Sequence, residues 1–149
     1  MARPERFAQS GYFHVITRAT GGDALFRDDD DRRIFVHHLH RVSARRGWVV
    51  YAYCLMTTHY HVVLETKTSN LSSGMQQLNA GYVTAFNERW GRFGTLVSGR
   101  FRSLPIESEE YLGEACRYVF LNPVKAELCR DSASWPWSGG ILAPAMSSL

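Results

Sequence analysis

The run Met56-Thr57-Thr58-His59-Tyr60-His61-Val62-Val63-Leu64-Glu65 sets two histidines one residue apart at the head of an apolar stretch. Side chains on a strand alternate faces, so His59 and His61 point one way and Tyr60 the other. Two imidazoles so placed can each offer a ring nitrogen to one divalent ion. Two ligands alone make a weak site, and a third must come from elsewhere in the fold. The plainer reading of such a pair is two hydrogen-bonded, half-buried strand histidines.

A second group of residues offers what the pair lacks. Ser108 reads as a helix cap with Glu109 and Glu110 in the first turn, and Leu112, Cys116 and Val119 as the buried stripe. Tyr118 and Asn122 lie four apart, one turn above the other, on a face rotated away from that stripe, with Glu114 one turn earlier. Helical tyrosines commonly half-pack and leave the hydroxyl on water. The chemical alternative is a nucleophile. A free phenol keeps its proton at neutral pH. It can attack phosphorus when a metal polarises the phosphate and cations stand nearby. His59 and His61 would hold that metal, with the amide oxygen of Asn122 as the candidate third ligand. Imidazole and amide-oxygen ligands with open positions suit Mg2+ or Mn2+.

Between these groups lies a glycine-rich loop, 91–102. Arg89, Arg92, Arg100 and Arg102 interleave with Trp90, Phe93 and Phe101. Arginines meet phosphates and aromatic rings stack unpaired bases, the usual pairing for single-stranded nucleic acid. The alternative has the three rings anchoring the loop to the core while the arginines stay solvated.

The elements that must position these residues follow from periodicity. Residues 12–17 read as a first strand, with His14 and Ile16 on one face. The acidic run 28–31 opens a helix with Phe35, Leu39 and Val42 as its stripe and Gly47 as its end. Arg41, Arg45 and Arg46 read as a solvated, favourably placed helix end. Residues 48–56 form a strand apolar enough to predict a central position buried on both faces. Residues 61–66 return antiparallel to it. Asn70 is placed to cap a second helix whose stripe is Leu71, Met75, Leu78, Tyr82 and Phe86. A short strand over 101–106 leads into the tyrosine helix, where Pro123 predicts a kink or an end at Asn122. The order β-α-β-β-α-β, then a helix, predicts an α+β, ferredoxin-like split β-α-β sandwich. It has an antiparallel sheet, helices on one face and an added C-terminal helix carrying the tyrosine. Such a fold hosts many functions and names none.

A chain of 149 residues predicts one domain, with a polar arm over 1–10 and an irregular tail over 130–149 packed by Trp135 and Trp137. Hydrophobic residues at 45% and charged residues at 21% fit a soluble globular protein and exclude a disordered or fibrous one. The net charge of +3 permits a polyanionic partner without demanding one. Cys54, Cys116 and Cys129 show no C-x-x-C spacing, which predicts reduced thiols, the first two in the core. No apolar run is as long as a membrane span, and Met1-Ala2-Arg3-Pro4-Glu5-Arg6 does not begin a signal peptide, so the expected location is the cytoplasm with no membrane partner.

Several of these patterns together resemble the single-tyrosine HUH transposases of bacterial insertion sequences, most of all the subgroup associated with repetitive extragenic palindromes (REP). The resemblance rests on five segments between Gly11 and Ser138. They are His59-Tyr60-His61, Phe86-Asn87-Glu88-Arg89, Gly99-Arg100-Phe101-Arg102-Ser103, Tyr118-Val119-Phe120-Leu121-Asn122-Pro123-Val124-Lys125-Ala126 and Trp135-Pro136-Trp137-Ser138. It implies that His59, His61 and Asn122 hold the metal. It implies too that Tyr118 attacks single-stranded, hairpin-bearing DNA, leaving a 5′-phosphotyrosine link and a free 3′-hydroxyl. Reversal by another 3′-hydroxyl would rejoin the strand without a nucleotide cofactor. Arg100, Arg102 and Lys125 are then the expected phosphate contacts. Insertion-sequence members form homodimers in which the tyrosine helix serves the partner's histidines, whereas the REP subgroup can act as monomers. The chain departs from the family at three places. Met56-Thr57-Thr58 stands where Met-Pro-Asn is usual, Lys125-Ala126-Glu127-Leu128 where Arg-Ala-Gly-Leu is typical, and Val97-Ser98 where a Trp-Gln pair is usual. Two rivals remain at this level: a catalytically inactive, domesticated module that binds hairpin DNA or RNA, and a metal hydrolase using an activated water. The second lacks an obvious carboxylate base.

Overall fold

In the computed structural model, which describes residues 10–97 and 99–143, the period-two stretches form a single antiparallel sheet. Its strands are β1 (Gly11–Arg18), β2 (Val49–Leu55), β3 (His59–Thr66), β4 (Arg102–Ile106) and β5 (Ser138–Gly139), in the order β4-β1-β3-β2-β5. The first four give the order expected of a split β-α-β sheet. Helices α1 (Asp29–Arg46) and α2 (Leu71–Trp90) are its crossovers, and α3 (Glu109–Lys125) follows β4. The polar arm expected over residues 1–10 lies outside the described residues apart from Ser10, as do Ser98 and the end of the tail, 144–149.

The helix ends obey local chemistry. Asp28 accepts a hydrogen bond from the Asp31 amide at 3.0 Å and Gly47 closes α1 in the left-handed region at φ 70°. Ser108 caps α3 through the Tyr111 amide at 3.2 Å. Asn70 does stand before α2, yet it caps nothing with its side chain. It accepts from Trp48 Nε1 at 2.9 Å and donates to the Arg46 carbonyl at 3.0 Å, tying α2 to the α1–β2 junction.

The two faces of the sheet differ. Phe13, Val15, Tyr60, Val62 and Leu64 pack against Phe35, Leu39 and Val42 of α1 and the full α2 stripe, Leu71 to Phe86. Each fully buried Leu or Phe there contributes about 1.5–3 kcal/mol. The opposite face carries Ala52, Cys54, Met56 and Val63, covered by Leu112, Cys116, Val119 and Phe120 of α3. The crossover helices thus share one face as expected, and the added helix takes the other. Burial pushes the Cys54 and Cys116 thiols up to about 11, so both are unreactive core groups.

Three expectations need correction. β2 is not buried on both faces: Val49, Val50, Tyr51 and Tyr53 are only partly covered, because β2 lies beside the short edge strand β5. The doubly buried strands are β1 and β3. The tail is not wholly irregular. Leu55 donates its amide to the Trp137 carbonyl at 2.9 Å, Trp135 Nε1 donates to the Leu55 carbonyl at 3.2 Å, and Ser138–Gly139 pair with β2. Finally, of the kink or end expected at Asn122, the end is overturned, because α3 runs two residues beyond Pro123. In the last helical turn a proline forfeits a single backbone bond, and the turn closes without it through Ala126 N to Asn122 O at 3.0 Å. Among the described residues no helix is long and apolar enough to cross a membrane.

Candidate active site

The turn before the histidines is held from all sides. Met56 donates its amide to the His59 carbonyl at 2.9 Å, closing the β2–β3 hairpin. The Thr57 carbonyl accepts the Leu25 and Phe26 amides at 2.8 and 3.2 Å, and the Thr58 carbonyl accepts the Ala19 amide at 2.9 Å. Arg32 reaches the Met56 carbonyl at 3.4 Å. These bonds fix the strand that presents His59 and His61, and both residues lie within β3 rather than one in the turn.

The pleat does as the spacing predicts. The rings of His59 and His61 share a face with centroids 5.1 Å apart. Across the ladder His59 pairs with Arg18 and His61 with Ile16, while Ile16 also pairs with Arg102 of β4. The same face therefore carries His14, whose Nε2 is hydrogen-bonded to Nδ1 of His61 at 2.9 Å. The Nδ1 of His59 shares a hydrogen bond with Thr58 Oγ1 at 3.2 Å. His61 is 2% exposed, and its Nε2 is buried with no hydrogen-bond partner.

Burial sets the charge state here. Desolvation, with the Arg102 charge adding to it, lowers His14 from 6.5 to about 4. Desolvation and Arg18 lower His59 to about 4. Desolvation, then the neighbouring His14 and His59 and the Arg18 charge, lower His61 to about 3. All three imidazoles are neutral at physiological pH and carry lone pairs, the form in which histidine binds a metal.

Tyr118 of α3 faces this cluster. Its ring lies 6.0 Å from that of His61 and 5.8 Å from that of His14, edge to face in both cases, while the residue stays 47% exposed. Lys125 Nζ sits 5.1 Å from the centre of the tyrosine ring. Asn122 donates its amide to the Tyr118 carbonyl at 3.0 Å, which spends a donor and leaves the acceptor oxygen, the atom a cation would use. No hydrogen bond among the described residues joins Asn122 to either histidine. No third His, Cys, Asp or Glu among them forms a metal-holding group with the pair. A buried, unpartnered Nε2 on His61 beside a second neutral imidazole is a donor set that could hold a divalent ion.

The arginines divide. Arg89 bonds Asp28 at 2.6 and 2.7 Å and the fully buried Asp31 at 2.7 Å, which binds α2 to the start of α1. Arg92 is spent on Asn87 at 2.9 Å and the Thr95 carbonyl at 2.8 Å. Arg100 and Arg102 are exposed and, among the described residues, form no ion pair. Arg102 lies on the histidine face. The aromatic rings divide as well. Phe101 packs on the core and Trp90 donates to Asp31 at 3.1 Å, whereas Phe93 is 94% exposed.

Two residues of the site escaped the sequence reading. The spacing puts His14 on a face with Ile16 but does not join it to His61. Arg18, exposed and without an ion pair among the described residues, carries no local signal of a site. The usable signal was the split β-α-β order, which makes β1 the neighbour of β3 and puts alternate residues of both on one face.

No family model and no curated protein matches the chain. Solved structures do. The fold is shared with two solved transposase structures. The REP-associated tyrosine transposase bound to a REP hairpin superposes with a TM-score of 0.74 over 86% of this chain and 75% of that one, at 17% identity. A candidate transposase from Deinococcus radiodurans R1 superposes with a TM-score of 0.52 over 74% of this chain and 89% of that one, at 15% identity.

Proposed function

We infer that the chain is a metal-dependent single-stranded DNA strand transferase, a transposase of the single-tyrosine HUH kind acting at hairpin-bearing DNA. The observation that carries this reading is the meeting, within one chain, of the Tyr118 ring with a neutral histidine whose buried Nε2 has no partner. The shared fold supports it, as does the REP hairpin bound by one structural neighbour.

In the reaction the Tyr118 oxygen attacks a backbone phosphorus. The bond formed is Tyr–O–P and the bond broken is P–O3′. The phenol gives up its proton and the 3′-oxygen leaves with one, so the count is unchanged and the products are a 5′-phosphotyrosine and a free 3′-hydroxyl. Attack by a different 3′-hydroxyl reverses these steps and joins a new strand. One phosphodiester replaces another, so no nucleotide hydrolysis is needed. Mg2+ or Mn2+ held by His59, His61 and Asn122 would polarise the phosphate. The protein's own groups do the rest. Burial keeps the imidazoles unprotonated, and the exposure of Tyr118 lets a strand reach it. Arg18 and Arg102 on the histidine face and Lys125 beside the Tyr118 ring are the cations that would meet a bound phosphate, with Arg100 two residues before Arg102.

The test is incubation with end-labelled hairpin oligonucleotides, among them a REP hairpin with single-stranded flanks, and Mn2+, followed by a denaturing gel. The expected result is a labelled band displaced by one protein mass, retaining the segment 3′ to the break and lost in Tyr118→Phe while hairpin binding persists. Binding without an adduct on any oligonucleotide favours the inactive binding module. Cleavage without an adduct favours the water-activating hydrolase. An adduct that persists in Tyr118→Phe removes that residue as the nucleophile.

A further inference from the structure

We propose that His14 is a positioning residue for this site. It accepts the Nδ1 proton of His61 at its own Nε2 and thereby reserves the Nε2 lone pair of His61 for a divalent cation. The inference rests on the metal reading above and names the residue that sets the ligand's tautomer and aim.

The argument begins with the hydrogen bond. At 2.9 Å between Nε2 of His14 and Nδ1 of His61, one imidazole donates and the other accepts. If His14 donated, the proton of neutral His61 would sit on Nε2, an atom buried with no acceptor beside it. A buried donor left unpaired has lost its hydrogen bond to water without a replacement, and no bound cation could relieve it. If His61 donates, the same atom is a lone pair, which a cation satisfies. Burial favours the neutral form of both rings, so a shared extra proton is not the explanation. A ligating histidine ordinarily gives its second N–H to an oriented acceptor, which fixes the ring and raises its basicity. Here that acceptor is an imidazole on the neighbouring strand.

The placement is rigid. His14 is 6% exposed, sits on a doubly buried strand, and lies diagonal to His61 across a regular ladder in which Ile16 pairs with His61 and His14 with Val63. Its ring meets the Tyr118 ring edge to face at 5.8 Å, so one side chain braces both the ligand and the tyrosine. His59 has no such support. Its Nδ1 partner is the Thr58 hydroxyl, which can turn to donate or accept.

The experiment has two arms on the full chain. In the metal-free protein, nitrogen-15 NMR of the histidine rings is expected to show His61 protonated on Nδ1. Calorimetric titration with Mn2+ is then compared among wild type, His14→Phe and His14→Gln. The phenyl ring keeps the volume without an acceptor and is expected to weaken Mn2+ binding about 10–100-fold. The glutamine carbonyl restores an acceptor and is expected to bind within about threefold of wild type. His61 protonated on Nε2 in the wild type overturns the proposal without need of any variant, as does equal Mn2+ affinity in His14→Phe. A wild type with the expected tautomer that binds no Mn2+ overturns the metal reading instead.

Discussion

Three imidazoles held neutral by burial make the site sensitive to acid. His14 and His59 sit at about 4 and His61 at about 3, against 6.5 for an exposed ring. As pH falls below 6.5 the unfolded chain takes up protons that the folded chain refuses. The cluster's contribution to stability is therefore complete above 6.5 and is lost as pH falls towards 4. For one such imidazole the loss across that window is about 3 kcal/mol. In EDTA, the thermal midpoint should drop between about pH 7 and pH 4.5, and less steeply in His14→Gln, which removes one titrating ring. Parallel slopes for the two proteins would show that His14 is not held neutral by the fold. The residue scale is also where the sequence was least readable. His59 and His61 declare themselves because their pairing is local, two positions apart on one strand. The His14 to His61 bond spans 47 positions and exists only through the β1–β3 register, which no local pattern encodes. Arg18 is hidden in the same way, since its neighbour His59 belongs to another strand.

At the scale of elements, what was legible was again what is local. The caps at Asp28 and Ser108, the glycine end of α1 and the stripes of all three helices follow from spacings within a few turns. The burial of β2 and the existence of β5 depend on strand order, and a two-residue strand has no period to detect. The end of α3 shows a local rule being strained. Glu127 lies in the left-handed region at φ 60°. Its amide reaches the Val124 carbonyl at 3.0 Å and the Leu128 amide reaches the Pro123 carbonyl at 2.9 Å, the paired bonds of a Schellman end. Glycine is the residue this position favours, and it is what the Arg-Ala-Gly-Leu pattern supplies. A left-handed non-glycine costs about 1–2 kcal/mol, part of which glycine gives back through its freer unfolded chain. Glu127→Gly should therefore stabilise by about 0.5–1 kcal/mol, seen as a rise of about 1–4 °C in the thermal midpoint. Glu127→Ala keeps the Cβ and should gain nothing. An equal rise in both variants would assign the effect to the lost charge rather than to the backbone.

At the scale of the molecule, the question is whose tyrosine serves whose histidines. The helix that carries Tyr118 folds back on the sheet of its own chain: Cys116, Val119 and Phe120 pack on Cys54, Met56 and Val63, and the tyrosine ring lands beside His61. A swapped arrangement would have to lift this buried stripe off the sheet or supply the same stripe from another copy. If the proposed site forms within one chain it needs no second copy, and that has a consequence in mixtures. On the proposed mechanism Tyr118→Phe lacks the nucleophile and His59→Ala lacks a ligand, and His59 is the less buried of the pair, so its replacement leaves the core intact. If each chain serves itself, equimolar mixing of the two variants, even after unfolding and refolding together, should give no covalent adduct on a hairpin oligonucleotide that the wild type cleaves. If tyrosines are exchanged, mixed pairs carry one intact site and the adduct should return to about a quarter of the wild-type level, the share of sites expected from random pairing. Recovery of that size would show that α3 crosses between copies in solution. Its absence, with both variants folded by circular dichroism and both still binding the hairpin, would make the single chain the catalytic unit.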